Sequence, residues 1–393
     1  MPAGESRTLD PFTGLDELPD QLLQAFAEPL VDHHVHTSFT GPTDRATFEA
    51  AIDEASTDPV PEFMTMFDSS LGFAIRRWCA PVLDLPAHVD PEHYLAARSG
   101  LGETEVSSRF LRAAGVRRWL LDTGYSGNAI VDLPTFAELS QGSVSEILRL
   151  EALGENLLSL GVSPADYADG FRAALAERAD RVVGTKSIVA YRCGFDIDWA
   201  APADAEVAAA VAGWSDQTGS GAPRLTSPVL AAFGVHAAVA AGLPVQFHVG
   251  FGDRDLDLNR VDPLLLLPLL RQHAVQQVSV LLLHCYPYQR AAGYLAQAFD
   301  NVYFDVGLAV NYTGAASVSV IAEAMELAPF AKQLYSSDAF GPAELHLLGS
   351  LLWRRGMARV LGAWVRTGDW SAADAGRVVR MIGAANARRA YRL

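Results

Sequence analysis

The chain has 393 residues, of which 50% are hydrophobic and 19% are charged, so it can bury the core of one large domain or two ordinary ones. Its formal net charge of −16 argues against a nucleic-acid partner or an anionic membrane surface. The first residues lack the features of a signal peptide, the apolar run 263–270 is too short to span a bilayer, and the three scattered cysteines suggest no disulfide framework. We therefore expect a cytoplasmic protein that binds neither nucleic acid nor membrane.

The first predicted strand, 29–36, follows a predicted helix at 16–27 and ends in a His-x-His motif. Residues two apart on a strand project to the same face, so His34 and His36 point together. Two imidazoles on one face at the end of a strand can chelate a divalent metal. His33 points to the opposite face, where we expect packing or support of its neighbours.

Short apolar runs alternate with helical segments along the rest of the chain. Further strands are predicted at 116–123, 146–151, 182–189, 244–249, 278–284, 302–306 and 333–338. Helices are predicted at 165–178, 203–214, 228–241, 343–367 and 371–389, with a leucine-rich helix before the sixth strand. Strands that alternate with helices in this way predict an α/β protein with a (β/α)₈ TIM barrel. The alternative is an open doubly wound sheet, but no glycine-rich phosphate fingerprint supports it.

The connection after the first strand is much longer than an ordinary βα loop. Residues 37–115 predict a mostly helical insertion, with helices at 44–55, 61–78 and 91–114. Loops on this face of a barrel build the active site, so the insertion is expected to form a lid or part of a dimer interface. We predict one barrel domain over 1–393, closed by the C-terminal helices.

Polar residues mark the predicted strands at places where a buried core would favour valine or leucine. They are His34 and His36 in the first strand, Lys186 in the fourth, His248 in the fifth, His284 in the sixth and Asp338 in the eighth. A lone buried histidine is more often a satisfied core residue than a ligand. In a barrel, however, the C-terminal strand ends converge on one face. Nitrogen and carboxylate ligands together suit zinc or another divalent transition metal.

This ordered set resembles the metal-binding pattern of the amidohydrolase superfamily, and within it the amidohydrolase-2 group. That group contains hydrolases, aromatic-acid decarboxylases and domains fused to glutamine-synthetase-like proteins. The tracts 184–192 (GTKSIVAYR) and 245–248 (VQFH) are similar to the glutamine-synthetase-associated branch. The resemblance extends from about residue 30 to 339. It implies a TIM barrel, a divalent metal, a small-molecule substrate and a homodimer.

The resemblance implies two alternative ligand arrangements, and in both of them the two first-strand histidines and Asp338 hold one metal. In binuclear relatives His248 and His284 hold a second ion, and a carbamylated strand-four lysine, here Lys186, bridges the pair. In mononuclear relatives His248 joins the first metal and His284 acts as a general acid or base. Lys186 would then bind a substrate carboxylate or form a buried ion pair. Zinc is the expected metal, at one or two ions per chain, with manganese and iron as alternatives.

Candidate substrate-binding residues follow the strand ends. Arg192 is suited to grip a substrate carboxylate through two hydrogen bonds, with a surface salt bridge as the alternative. Tyr191 and Arg290 are weaker candidates on neighbouring loops, and Asn311 could hydrogen-bond to the substrate.

The reaction that the resemblance implies is hydrolysis of an amide or other C–N bond of a small molecule through a metal-activated water. Asp338 would accept the proton of that water and pass it to the leaving group, and His284 would help to polarise the scissile carbonyl. A metal-dependent decarboxylase of an aromatic or related carboxylic acid needs the same ligands and is the first alternative. The second alternative is a non-catalytic metal-binding barrel.

Overall fold

The computed structural model describes residues 9–56, 58–124, 129–218 and 222–393, and within them seven parallel strands form one sheet in sequential order. The strands are β1 Leu30–Val35, β2 Val116–Asp122, β3 Ser143–Arg149, β4 Val182–Ser187, β5 Val245–His248, β6 Val280–Leu283 and β7 Val302–Phe304. Each overlaps a predicted strand. The third differs most from its prediction, because Leu150 and Glu151 already form the first turn of a helix. The apolar pattern there runs on from strand to helix, so it does not mark where the strand ends.

The eighth predicted strand, 333–338, closes the barrel by backbone hydrogen bonds to both edges of the sheet. The Leu334 N–H donates to the Phe304 carbonyl of β7 at 3.0 Å, and the Asp338 N–H donates to the His34 carbonyl of β1 at 3.2 Å. The segment is not a regular strand, since Asp338 adopts a left-handed φ of +50° that interrupts the extended backbone. These contacts confirm the predicted TIM barrel.

The helices cover the outside of the barrel and build the insertion. They are α1 Asp20–Ala27, α2 Arg45–Ala51, α3 Ser70–Ala74, α4 Pro91–Leu101, α5 Glu103–Ala113, α6 Leu133–Ser140, α7 Leu150–Ser159, α8 Tyr167–Arg178, α9 Asp204–Thr218, α10 Pro228–Ala240, α11 Leu267–Leu270, α12 Gln289–Ala298, α13 Gly307–Thr313, α14 Ser317–Ala324, α15 Glu344–Thr367, α16 Ala372–Arg380 and α17 Asn386–Tyr391. Side-chain caps fix several starts, because Asp44, Asp90, Asp132 and Ser227 each accept a backbone N–H of the first turn. Among the described helices, none has the length and hydropathy to cross a membrane.

The insertion, 37–115, is mostly helical as predicted and is anchored to the closing helix α15 by buried charges. Arg98 donates to Glu103 at 2.7 Å and to Glu344 of α15 at 2.8 Å, and the Tyr94 hydroxyl donates to Glu344 at 2.8 Å. All four side chains are buried. Because each charge has an opposite partner, this network fixes the insertion beside the mouth of the barrel.

The last helix, α17, packs into the barrel interior near the start of the strands. Ala387, Ala390 and Tyr391 join a buried cluster with interior residues of the strands, including Val31 and Leu281. The predicted helix 371–389 is therefore divided: α16 passes through a wider π-helical turn at Met381–Ala385 before α17 begins. This turn allows the final helix to enter the barrel.

Candidate metal centre

The structure brings all six predicted metal-binding residues together at the C-terminal end of the barrel. The six are His34 and His36 at the end of β1, Lys186 of β4, His248 of β5, His284 after β6, and Asp338 of the closing segment. Asp338 lies at the middle of the group. Its Oδ1 is 3.0 Å from His34 Nε2 and 3.6 Å from His36 Nε2, and its Oδ2 is 3.3 Å from His284 Nε2.

The remaining two residues extend the cluster across the barrel. Lys186 Nζ lies 3.1 Å from His34 Nε2, and the rings of His248 and His284 have centroids 4.8 Å apart. All four side chains are buried. The cluster therefore contains the imidazole and carboxylate ligands that both ligand schemes use.

The protonation of His34 follows from its hydrogen bonds. Gln246 Nε2 donates to the His33 carbonyl at 2.9 Å, and a carbonyl can only accept, so the amide oxygen of Gln246 must face His34 Nδ1, at 2.8 Å. That oxygen accepts a hydrogen bond from Nδ1–H, which leaves Nε2 with its lone pair directed at the cluster. This lone pair and the Asp338 carboxylate oxygen 3.0 Å away are both acceptors.

Buried atoms without partners complete the case for a cation. Both ring nitrogens of His284 and Oδ1 of Asp338 are buried and make no hydrogen bond with any described residue. Buried polar atoms are nearly always paired, and a divalent metal would satisfy Asp338 Oδ1 and one ring nitrogen of His284. Ligand atoms of His34, His284 and Asp338 lie within 4.8 Å of one another. Imidazole and carboxylate donors at this spacing fit a divalent metal.

The buried position of the cluster shifts its pKa values in the direction that ligation needs. Burial lowers the pKa of His36 to about 3 and holds the pKa values of His34, His248 and His284 well below the ordinary value, so all four rings are neutral at neutral pH. Neutral imidazole is the form that binds metals.

The two charged groups of the cluster are shifted as well. Burial lowers the pKa of Lys186 to about 8, although Asp122 and Asp338 oppose the shift. Burial raises the pKa of Asp338 to about 6. The pKa values of Lys186 and Asp338 therefore both lie closer to neutral pH than those of the same groups in water.

Sequence reasoning missed Asp122 and Arg149, which end β2 and β3 beside the cluster. The Asp122 carbonyl lies 3.3 Å from His36 Nδ1, and its carboxylate accepts from Arg149 at 2.7 Å. Burial favours the neutral acid, but Arg149 and then His36 hold the pKa of Asp122 below its ordinary value. Atoms of Asp122, His34 and His36 form a second group with metal-ligand spacing. The rule that polar residues mark strand ends would have found both residues.

His33 points away from the cluster, as predicted, and supports it from behind. Its Nε2 lies 2.9 Å from Asp305, which follows β7. Asp305 in turn accepts from the backbone N–H of His284 at 3.1 Å and from the Ser336 hydroxyl at 2.7 Å. Since His284 has a left-handed φ of +69°, these bonds hold a backbone conformation that a non-glycine residue rarely adopts.

A cavity of about 250 Å³ opens above the cluster and is lined mainly by charged side chains. Its lining residues are His36, Glu54, Arg149, Lys186, Ile188, Tyr191, Arg192, Arg224, His248, Asp253, Asp255, Asp338 and Phe340. The insertion contributes Glu54, another residue that sequence reasoning missed. Burial, then Asp338 and Asp253, raise the pKa of Glu54 to about 8.

Two of the four predicted substrate-binding residues reach this cavity. The Tyr191 hydroxyl lies 2.9 Å from His248 Nε2, and Arg192 pairs with Glu155 at 3.2 Å while its Nε is buried without a hydrogen-bond partner in the described chain. Asn311 is buried in α13 and donates to the Ser337 carbonyl at 3.1 Å. Arg290 is exposed at the start of α12, paired with Glu326 at 2.8 Å. The structure thus brings neither Asn311 nor Arg290 to the cavity wall that it describes.

Comparison with known proteins now gives the family. The amidohydrolase family model matches residues 161–393, more than half of the chain. This chain belongs to the amidohydrolase-2 group. The matched part of this amidohydrolase contains Lys186, His248, His284 and Asp338, whereas the two first-strand histidines precede it.

Two relatives extend the likeness to nearly the whole chain of this amidohydrolase. Protein fluG of Emericella nidulans is 27% identical over 401 residues, which cover 93% of this chain and 46% of the fungal protein. The chain therefore spans less than half the length of this curated relative. A crystal structure from Lactobacillus casei ATCC 334, provisionally described as a metal-dependent hydrolase, is 29% identical with a TM-score of 0.83, covering 96% of this chain and 98% of that one.

A more distant likeness bears on the fold alone. A uronate isomerase from Bacillus halodurans C-125 has a TM-score of 0.60 at 12% identity, over 95% of both chains. At that identity the shared feature is the barrel.

Proposed function

We propose that this chain, a metal-dependent hydrolase by its family, cleaves an amide or other C–N bond of a small polar molecule. The observation that carries the proposal is the pair of opposed acceptors, His34 Nε2 and Asp338 Oδ1, 3.0 Å apart. They lie beside the ring nitrogens of His284, which make no hydrogen bond with the described chain. Two lone pairs at this distance repel each other unless a cation or a proton lies between them. The Lys186 amine can donate to His34 Nε2, 3.1 Å away, but Asp338 Oδ1 makes no hydrogen bond with the described chain. The site therefore favours a bound metal, which would supply the activated water that hydrolysis needs.

The ligand assignment follows the two schemes of the family. His34, His36 and Asp338 would hold one divalent metal, and His248 would either complete that site or, with His284, hold a second ion. A metal bound there lowers the pKa of water from about 16 towards roughly 7 and polarises a carbonyl group. Zinc as that metal, a cytoplasmic location and a homodimer remain predictions.

Asp338 is suited to move the proton of the reaction. Its pKa of about 6 leaves the carboxylate ionised at neutral pH, yet more basic than an ordinary aspartate. It would take the proton from water as the water oxygen bonds to the carbonyl carbon. It would then give that proton to the nitrogen as the C–N bond breaks. In the one-metal scheme His284 is neutral and is not a ligand, so one ring nitrogen carries a proton that it can donate to the carbonyl oxygen.

Lys186 is proposed as a carbamylated ligand. A carbamate forms when a neutral amine adds CO₂ and loses a proton, and the pKa of about 8 gives Lys186 a larger neutral fraction than an ordinary lysine has. The product is an anionic oxygen ligand in place of a cation beside His34. The position of Nζ, 3.1 Å from His34 Nε2, supports this assignment, because it places the carbamate beside a histidine ligand.

The cavity walls favour a polar substrate over an aromatic acid. Apolar surface comes from Ile188 and Phe340, whereas cationic and anionic side chains line most of the rest. A benzoate-like ring would displace water from these charges without replacing its hydrogen bonds. Arg192, whose buried Nε has no partner in the described chain, is proposed to bind a carboxylate of the substrate.

The test combines metal content with product analysis. Protein purified without chelators should contain about two metals per chain in wild type and fewer in Lys186→Ala. A panel of small amides in ¹⁸O-labelled water should yield labelled carboxylate. One metal in both proteins would move Lys186 to substrate binding. Release of CO₂ from aromatic acids with no labelled product would replace hydrolysis by decarboxylation, and metal binding without turnover of any compound would leave a non-catalytic barrel.

A further inference from the structure

A second cavity, distinct from the catalytic one, lies between the insertion, the start of α14 and the closing helix α15. Its volume is about 350 Å³, larger than that of the cavity above the metal centre. The insertion contributes Arg77 and Trp78 to its lining, and α15 contributes Arg355 and Arg359. None of these residues has a part in the proposed hydrolysis.

The charge of this cavity has one sign. Among the described residues, no aspartate or glutamate lines it, although the chain has 46 acidic residues and a net charge of −16. Arg355 donates to the carbonyls of Pro11 and Thr13 at 2.8 and 2.9 Å. Within the described residues, Arg77, Arg355 and Arg359 have no carboxylate at ion-pair distance. The cavity therefore gathers three positive charges, and Asp10 offsets only part of the charge at Arg355.

Two of the guanidinium groups act on the third. Burial lowers the pKa of Arg355, the charges of Arg359 and Arg77 lower it further, and Asp10 opposes the shift. Like charges held this close destabilise the folded chain. A negatively charged ligand would replace that repulsion by charge-assisted hydrogen bonds. The helix α14 also begins at this wall with Ser317, so its positive end adds to the attraction.

An aromatic surface accompanies the charges. The guanidinium carbons of Arg77 and Arg355 lie 4.3 and 5.2 Å from the centre of the Trp78 ring, which fixes both cations over one platform. Phe73 forms another part of the wall and is 54% exposed, unusual for a large aromatic side chain in a concave site. A ligand with a flat apolar group would cover that ring.

We propose that this cavity binds a small aromatic anion of the aryl phosphate class. The arginines bind the phosphate oxygens, and the exposed ring of Phe73 contacts the aromatic ring of the ligand, while Trp78 holds Arg77 and Arg355 in place. A concave site of about 350 Å³ suits a small molecule better than a protein segment, which would bury a wider and flatter surface.

The test is calorimetric titration of the metal-loaded protein with phenyl phosphate, with inorganic phosphate and phenol as comparators. Phenyl phosphate should bind more tightly than either comparator, and its affinity should fall as salt is added. Arg359→Gln and Arg77→Gln should each weaken binding by about tenfold or more, the loss of a charge-assisted hydrogen bond. Arg117→Gln removes an exposed arginine from β2, outside the cavity, and should leave the affinity unchanged.

A second variant separates this cavity from the metal centre. Asp338→Asn should keep phenyl phosphate binding, because the cavity does not include that residue. Binding that is lost in Asp338→Asn but kept in both arginine variants would place the anion at the metal and overturn the proposal. Absence of phenyl phosphate binding to folded wild-type protein would also overturn the proposal. The same holds if the protein self-associates, the arginine variants abolish this self-association and phenyl phosphate has no effect on it.

Discussion

The two ends of the barrel handle buried polar groups in opposite ways. Near the strand starts, the Tyr391 hydroxyl lies 2.9 Å from His33 Nδ1 and accepts from Gln246 Nε2 at 2.6 Å, so polar atoms there are paired. At the strand ends, His284 and Asp338 present buried atoms that make no hydrogen bond with the described chain. The first end uses polar groups to specify structure. The second leaves acceptors directed at one point, which is what a cation site requires.

One chain of hydrogen bonds joins the two ends and orders their protons. His33 donates from Nε2 to Asp305 and accepts at Nδ1 from the Tyr391 hydroxyl. Tyr391 accepts from Gln246, whose oxygen accepts from His34. The directions at Gln246 follow because the His33 carbonyl can only accept. The directions at His33 follow because the Asp305 carboxylate can only accept from Nε2, which leaves Nδ1 as the acceptor. The satisfied end thereby determines which nitrogen of His34 is left to bind a metal.

The largest expected effect comes from removing the Asp338 carboxylate at the strand ends. Asp338→Asn should lower kcat by about a thousandfold, since it removes both a metal ligand and the proton acceptor. Amide hydrolysis and metal content measure the two losses together. Asp84→Asn is the matched control, because Asp84 also has a left-handed φ, of +63°, but is exposed. Near-wild-type activity in Asp338→Asn would contradict the assigned role.

Asp338, at the strand ends, should also make the stability of metal-free protein depend on pH. The folded pKa of Asp338, about 6, lies above its unfolded value, so burial favours the protonated form. Its contribution to stability is complete below the unfolded pKa and is lost as the pH rises through about 6. Relative to Asp338→Asn, the free energy of unfolding should fall by roughly 2 kcal/mol between about pH 4 and pH 7. Urea denaturation at several pH values measures it, and a constant difference would contradict it.

The contrast between the ends also explains what the sequence could predict. The strand-end residues His248 and His284 follow apolar runs, so pattern alone places them on the active face. Gln246 lies within the run 245–248 and has no local signal, because its role depends on Tyr391, a contact across 145 residues. Glu54 was missed for the same reason: it reaches the cavity only through the path of the insertion. Periodicity locates strands, whereas long-range contacts decide which polar residues meet.

Gln246→Leu tests whether the hydrogen bonds near the strand starts control metal binding at the strand ends. Without the amide oxygen, His34 Nδ1 loses its acceptor and the ring is free to change tautomer, so metal affinity should fall by about 10- to 100-fold. Competition with a chromophoric chelator measures the affinity. Gln333→Leu is the control: Gln333 is also buried and donates to a backbone carbonyl, but it touches no ligand. Equal loss of metal affinity in both variants would mean that burying a leucine, and not the tautomer, is responsible.

The smallest effect on metal binding is expected from Tyr391, the member of this hydrogen-bond chain that lies farthest from the metal ligands. Tyr391→Phe removes a hydroxyl bonded to His33 and Gln246, so it should lower the free energy of unfolding by about 1–2 kcal/mol. Tyr335→Phe is its control, because the Tyr335 hydroxyl is equally buried but makes no hydrogen bond in the described chain, and its loss should cost nothing. Since Gln246 keeps its bonds to His33 and His34, Tyr391→Phe should change metal affinity less than Gln246→Leu does. Chemical denaturation with metal titration separates the two quantities. Should metal affinity fall further in Tyr391→Phe than in Gln246→Leu, the hydroxyl rather than the amide would determine the tautomer of His34.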